Sequence, residues 1–331
     1  ERIGEKAFYF CTRLASIVID ANVKSIGKLA FHGCAGMRYV AYQGDLAAWC
    51  DIEFDGMGAN PLCLSYTETR RRLIVSGEVI EGELAIPDTV EEIKPYAFVY
   101  CGVTGVVLPD SVARVGEYAF WSSGISSLTL GRGLTDIGDE AFRSSALARV
   151  DAPDLDTWLR IKFGEGSANP LVNSWHGSEP SHDIKRVPEI YFGGARPDGE
   201  ITIKSGVTSV PAYTFKNSDI TRVNIADGVT EISEGAFFKC ESLTAAELPD
   251  SVTNVNRYAF YGCAKLAPPT MRGVIAADDY AFYGCFKNAE TLELGERMRT
   301  IGKYAFARTG IKSLALAARV QEIDATAFYQ T

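Results

Sequence analysis

The chain has 331 residues, 47% of them hydrophobic and 23% charged, with 31 Gly and 13 Pro, a balance that fits a folded protein and excludes a disordered or collagen-like one. Its 33 Lys and Arg against 42 Asp and Glu give a net charge of −9, which argues against capture of nucleic acid or anionic lipid; no apolar run reaches the roughly 18 residues of a membrane span. Three histidines leave little material for acid–base or metal chemistry, whereas eight cysteines, an even number, invite a disulfide framework.

Along the chain the first feature is a repeat. Ala-Phe ends at Phe8 and Phe31 within residues 1–44, at Phe98, Phe120 and Phe142 within 81–153, and at Phe237, Phe260, Phe282, Phe306 and Phe328 within 200–331, with Thr214-Phe215 as an eleventh copy. Apart from two gaps the spacing is 22, 23 or 24 residues. Five residues before each Phe stands Ile or Val, as at Ile26, Val115 and Ile232, with Ala277 the weak exception; eight before stands Val, Leu or Met. Upstream lie short alternating runs such as Leu128-Thr129-Leu130, often closed by a Pro/Gly/Asp corner. One such unit cannot bury its own apolar face, so the period predicts a solenoid in which each turn adds a strand to a parallel sheet. The core is expected to be a ladder through Phe31, Phe120, Phe142, Phe237, Phe260 and Phe282.

Three residues after the Phe stand Cys11, Cys34, Cys101, Cys240, Cys263 and Cys285, and in other copies Ser or Thr. A position shared by Cys, Ser and Thr asks for a small side chain in a tight turn. Neither paired cysteines nor a local CxxC cluster supports a disulfide framework or a zinc site, so Cys34, Cys240, Cys263 and Cys285 are expected to be buried thiols.

Two stretches, about 45–80 and 154–199, interrupt the repeat as arms of a single elongated domain spanning 1–331. Both carry one motif, Asp45-Leu46 to Trp49, Ile52, Phe54 and Ala59-Asn60-Pro61-Leu62, matched by Asp154-Leu155 to Trp158, Ile161, Phe163 and Ala168-Asn169-Pro170-Leu171. The spacing predicts a short helix capped by the Asp, its Trp plugging the side of the solenoid, with ligand stacking on the Trp as the sharper alternative. Arg72 to Val79 followed by Leu84-Ala85-Ile86 reads as a hairpin feeding back into the repeat. The second arm is longer and carries Trp175, His176 and His182 in a loop-like stretch, a natural place for recognition. Ser174, His176 and Asp183, or His176, Glu179, His182 and Asp183, lack the spacing of a catalytic or metal motif, so no catalytic residue, metal ligand or cofactor is assigned.

The core Ile26-Gly27-Lys28-Leu29-Ala30-Phe31-His32-Gly33-Cys34, with Leu108-Pro109-Asp110-Ser111-Val112, resembles the BspA-type, or Treponema-type, leucine-rich repeats. The resemblance implies a leucine-rich-repeat-like, right-handed, curved β-rich superhelix with short helical turns and its parallel sheet on the concave side. It also implies a secreted or surface-displayed bacterial protein that adheres to a host or matrix protein or glycan. It supplies no catalytic residues. Residue 1 opens inside a turn and residue 331 closes just past the last Phe, so flanking turns or caps are expected in the parent chain.

Aromatic residues flank the Phe ladder. Tyr258 and Tyr280 lie two residues before it and Tyr261 and Tyr283 one after, so within a helical turn each pair shares a face and stacked turns make a stripe. Trp121 belongs to the same set. Arg222 and Asn224 are polar positions on the strand side. The resulting expectation is a non-enzymatic extracellular binding or adhesion protein that uses Tyr258, Tyr261, Tyr280, Tyr283, Trp121, Trp175, Arg222 and Asn224. The alternatives are a structural spacer that presents other domains, and third an enzyme or metal site in the second arm. Oligomeric state is left open.

Overall fold

Each period folds into one turn of a solenoid with two short strands and a bent third side. The computed structural model describes residues 1–63, 70–165, 167–172, 188–316 and 318–331, which group into two units, 1–194 and 195–331.

In the first unit Ser127–Thr129 pairs in parallel with Val103–Val107 on one side and Arg149–Ala152 on the other, aligning Val106, Leu128 and Val150. All three are buried, because alternation along a strand sends every second side chain inward. Across the corner a second parallel sheet of two-residue strands aligns Ile93, Val115, Ile137 and Phe163, also buried. On the third side Phe98, Phe120 and Phe142 stack at 5.1 and 5.4 Å. The second unit repeats this plan. Its second sheet runs through six turns, and its ladder of Phe215, Phe237, Phe260, Phe282, Phe306 and Phe328 keeps ring centroids 5.0–5.5 Å apart. Stacked Phe rings are therefore present in each unit, one per regular turn.

The third side is not helical. Tyr258 has φ +59° and Gly262 φ +76°, and every copy places left-handed backbone two residues before and two after its Phe. These left-handed residues turn alternate N–H groups toward the neighbouring turn. Tyr258 N–H donates to Asp279 O at 3.1 Å, Phe260 to Ala281 O at 2.8 Å and Gly262 to Tyr283 O at 2.8 Å. A helix would direct the same groups along its own axis. The third side is thus a hydrogen-bonded ladder of its own, which offsets the cost of left-handed non-glycine residues, about 1–2 kcal/mol each. Ser122, at φ +53°, occupies a position that Gly33, Gly262 and Gly284 hold in other copies. Ser122→Gly is expected to stabilise the first unit by about 1 kcal/mol, the relief of strain less the greater chain entropy of glycine. Unchanged or lower urea stability would show that the hydroxyl contributes more than the strain costs.

The two stretches between repeats keep the sheets going. Glu53–Phe54 pairs with Ser25–Ile26, and Arg72–Val75 with Tyr39–Tyr42, before folding back antiparallel on Glu78–Val79 as the sequence pattern indicates. Helix α1 (Leu46–Cys50) and its counterpart α2 (Leu155–Arg160) are capped by Asp45 and Asp154, whose side chains accept from Ala48 N–H and Thr157 N–H. Phe31 N–H donates to Gly58 O, the bond made elsewhere to the Ala of Ala-Phe, so buried Ala59 stands where a Phe would. The missing volume is filled by Trp49, fully buried, packed on Phe54 at 5.6 Å and donating from Nε1 to Ala97 O at 3.1 Å. Trp158, equally buried, packs on Phe163 in the same way. Neither indole has a face left for a ligand. Asn60 explains the Asn-Pro-Leu signature: its Nδ2 donates to Tyr96 O and Ala97 O, and its Oδ1 accepts from Leu62 N–H.

All eight cysteines are unbridged thiols, and all but Cys11 are buried. The rung does more than demand a small group. Cys34 Sγ donates to Phe8 O at 3.0 Å, Cys240 to Phe215 O at 3.0 Å, Cys263 to Phe237 O at 3.1 Å and Cys285 to Phe260 O at 2.9 Å. At these cysteines the thiol donates to a buried carbonyl one turn earlier, and Thr331 Oγ1 reaches Phe306 O in the same way at 3.4 Å, whereas Ser145 Oγ donates at 2.6 Å to Phe142 O of its own turn. The interchange is incomplete, since Ser123 Oγ and Thr309 Oγ1 are buried with no partner among the described residues.

Candidate binding surface

Where the residue two before the Phe or one after it is aromatic, it projects to the surface beside the buried ring. In the second unit this builds two adjoining aromatic columns. One runs Phe238, Tyr261, Tyr283, with centroids 4.9 and 4.8 Å apart and planes within 7°. The other runs Tyr258, Tyr280, Tyr304 at 5.2 and 5.1 Å. Contacts of 5.7 Å across Tyr258–Tyr261 and Tyr280–Tyr283 join the columns. The four tyrosines singled out from sequence therefore form one array, brought together by the alternating turn and not by helical spacing.

The rings are half-buried. Within the first column the faces are spent on one another, so the array presents ring edges and phenol groups outward. Cations close over it: Lys216 Nζ lies 5.2 Å from the Phe238 centroid, Lys239 Nζ 5.7 Å from the same ring, and Arg257 4.6 Å from Tyr258. Lys303 lies 5.6 Å from Tyr304 and Arg308 5.8 Å from Tyr283. Arg257 Nη2 also donates to the Tyr258 hydroxyl at 3.0 Å. Burial, then the neighbouring Tyr283 and Tyr258, raises the Tyr261 phenol above its ordinary value, so it remains a hydrogen-bond donor at neutral pH. Burial, reinforced by the charge of Lys239, lowers the Lys216 ammonium. These cations escaped the sequence reading, yet they follow a rule: each stands three before, one after or two after its Phe, at or next to a left-handed residue.

The other named residues lie elsewhere. Trp121 belongs to the first unit, edge-on to Tyr100 at 5.0 Å. Arg222 and Asn224 sit on the first sheet of the second unit, where Arg222 pairs with Glu247 at 3.4 Å and Asn224 Nδ2 donates to Glu200 Oε1 at 2.6 Å. Trp175 lies outside the described residues, as do Ser174, His176, Glu179, His182 and Asp183. A hollow of about 330 Å³ opens beside Arg257, Asp278, Asp279, Glu322 and Asp324. Among the described residues no group of three or more His, Cys, Asp or Glu is disposed to hold a metal ion, and no helix is long and apolar enough to cross a membrane.

Comparison with known proteins agrees with this geometry at the level of the fold. A leucine rich cell surface protein of Faecalibacterium prausnitzii superposes with a TM-score of 0.55 at 21% identity, covering 100% of this chain and 86% of that one. A leucine-rich repeat protein of Eubacterium ventriosum gives 0.56 at 17% identity, covering 96% and 82%. No curated protein matches the chain. Six copies of the BspA type Leucine rich repeat region match residues 1–58, 81–159 and 208–331, the same stretches that carry the Phe ladder and its Cys, Ser or Thr rung. With most of its length accounted for by that signature and its turns built as the signature requires, the chain belongs to the BspA-type leucine-rich repeat family.

Proposed function

We propose that the chain is a non-enzymatic binding module, displayed outside a bacterial cell, that holds a protein partner through the aromatic array of its second unit. The observation that carries this reading is the double column of Tyr258, Tyr261, Tyr280, Tyr283 and Tyr304, half-exposed and overlaid by Arg257, Lys303 and Arg308. Tyrosine and arginine are the residues that dominate protein interfaces, since they combine large contact area with polar edges. Because the first column offers edges and not open ring faces, it suits a protein surface better than a pyranose that stacks on an aromatic plane. The similarity to a leucine rich cell surface protein supports display and binding.

The test keeps the rings and changes what they present. Replacing Tyr258, Tyr261, Tyr280 and Tyr283 by Phe, with Arg257→Glu and Lys303→Glu, preserves stacking but removes the hydroxyls and reverses two charges. Beads carrying the wild-type chain are expected to adhere to one or more members of a panel of immobilised matrix proteins, with adhesion falling at least tenfold for the variant. Equal adhesion by both, at equal thermal stability, would place binding away from the array, and no adhesion by the wild type would favour the spacer.

A further inference from the structure

The first sheet of the second unit is broken in one place. Glu200–Ile203, Arg222–Ile225 and Ala245–Glu247 pair in order, and Thr291–Glu293 pairs with Ser313–Ala315, but the turn between these two groups contributes no strand. In that turn Pro268 and Pro269 fall where Ala245 and Ala246 stand one period earlier. Proline has no N–H to give a ladder, and the pairing stops.

The consequence falls on the next strand. Lys312 and Ser313 N–H both donate to Glu290 O, at 2.8 and 2.9 Å, which faces Glu290 toward the following turn. Successive residues of a strand face opposite neighbours, so the N–H and C=O groups of Thr291 and Glu293 face back toward the prolines. In intact turns the matching amide is bonded, as Arg149 N–H is to Ser126 O at 3.2 Å. Here, among the described residues, no backbone hydrogen bond joins Thr291 or Glu293 to residues 267–271. A groove of about 880 Å³ lies along this edge, with Pro269, Met271 and Leu294 buried beneath it and Arg272 and Arg297 exposed at its rim.

We propose that the edge Thr291–Glu293 is a docking site for an extended polypeptide segment, which adds to the sheet as a strand. Two N–H and two C=O groups at alternate-residue spacing are the complement of an extended peptide backbone, the mode by which free sheet edges capture peptides. The rim argues the same way: Arg272 and Arg297 are balanced by the exposed Glu293 and Glu296, and Glu290 is paired with Lys312 at 2.6 Å, so the groove selects for backbone hydrogen bonding and an apolar side chain over a polyanion. The inference deepens the binding reading by naming a ligand class, but it rests on the first sheet and not on the aromatic array.

The probe is a synthetic peptide of residues 220–226, Ile-Thr-Arg-Val-Asn-Ile-Ala, the segment that forms a strand of this sheet, added to the full chain. Saturable binding is expected, weakened at least tenfold when alternate peptide amides are N-methylated. Hydrogen exchange at Thr291 and Glu293 is expected to slow at least tenfold on saturation. Pro269→Ala restores a donor facing this edge and Pro268→Ala one facing the preceding turn, as Ala245 N–H faces Thr221 O, so the double variant should melt higher and lose peptide binding at least tenfold. Absence of peptide-induced protection at Thr291 and Glu293, binding indifferent to N-methylation, or binding retained by a folded double variant would each overturn the proposal. If the double variant does not fold, exchange on the unaltered chain decides. The array variant described above should bind this peptide as the wild type does, so failure of one site is distinguishable from failure of the other.

Discussion

Phe260→Ala is expected to destabilise the second unit by about 3–5 kcal/mol, the range for truncating a fully buried aromatic ring. Phe260 has no exposed surface and is sandwiched between Phe237 at 5.0 Å and Phe282 at 5.3 Å, with ring planes within 9°. Neighbouring turns are held apart by their hydrogen-bonded backbones, so they cannot collapse into the space and a cavity remains. The ladder also sets how the loss scales. Phe142 stacks on Phe120 alone among the described rings of its ladder, so Phe142→Ala removes one ring pair where Phe260→Ala removes two. Each such pair contributes about 0.5–1.5 kcal/mol beyond area burial, which is the expected difference between the two variants. Urea unfolding followed by circular dichroism measures both. A Phe260→Ala loss below about 1 kcal/mol would mean that the turns are not coupled through their rings.

The ladder was legible in the sequence because burial imposes an apolar residue at a fixed place in every period, and no other chemistry does so eleven times. The Trp helices were legible for a similar reason, since Asp45 and Asp154 announce a cap and Leu46, Trp49 and Ile52 a buried face. The third side was not. Its left-handed positions hold Tyr96, Ser122, Glu140, Lys239 and Gly262 alike, because they are fixed by inter-turn hydrogen bonds to which side-chain type contributes little. The tyrosine stripe was found through a three-residue spacing, although the backbone that brings the rings together is not the helix from which that spacing is usually argued. The cysteine rung showed its size requirement but not its donor role, because the acceptor is a carbonyl some 25 residues away. Pro268-Pro269 shows its effect only when the ladder around it is intact enough for a gap to be seen.

The same rung and the thiols around it make the protein sensitive to alkali. Burial raises the thiol of Cys50 from 9.0 to about 12, and those of Cys63 and Cys101 to about 11; Cys240 and Cys263 are raised well above 9.0 for the same reason. In each case the fold holds the neutral thiol, while the unfolded chain ionises near its ordinary value. The unfolded state therefore binds fewer protons above about pH 9, and stability falls as pH rises through the window from 9 to about 11–12. Each thiol costs about 1.4 kcal/mol per pH unit in that window, so three in the first unit amount to a loss on the order of 5 kcal/mol by about pH 10.5. Below pH 8 the same thiols leave stability flat. Cys101→Ser and Cys240→Ser remove one titrating group from each unit, so each is expected to flatten the alkaline slope of its own unit by about 1.4 kcal/mol per pH unit. Urea unfolding repeated from pH 8 to 11 reads that slope directly, and a slope that is the same in both variants and the wild type would sink the assignment. Thiol reagents at pH 8 supply an independent check: exposed Cys11 should react at once in the folded protein, and the buried thiols only as the units open.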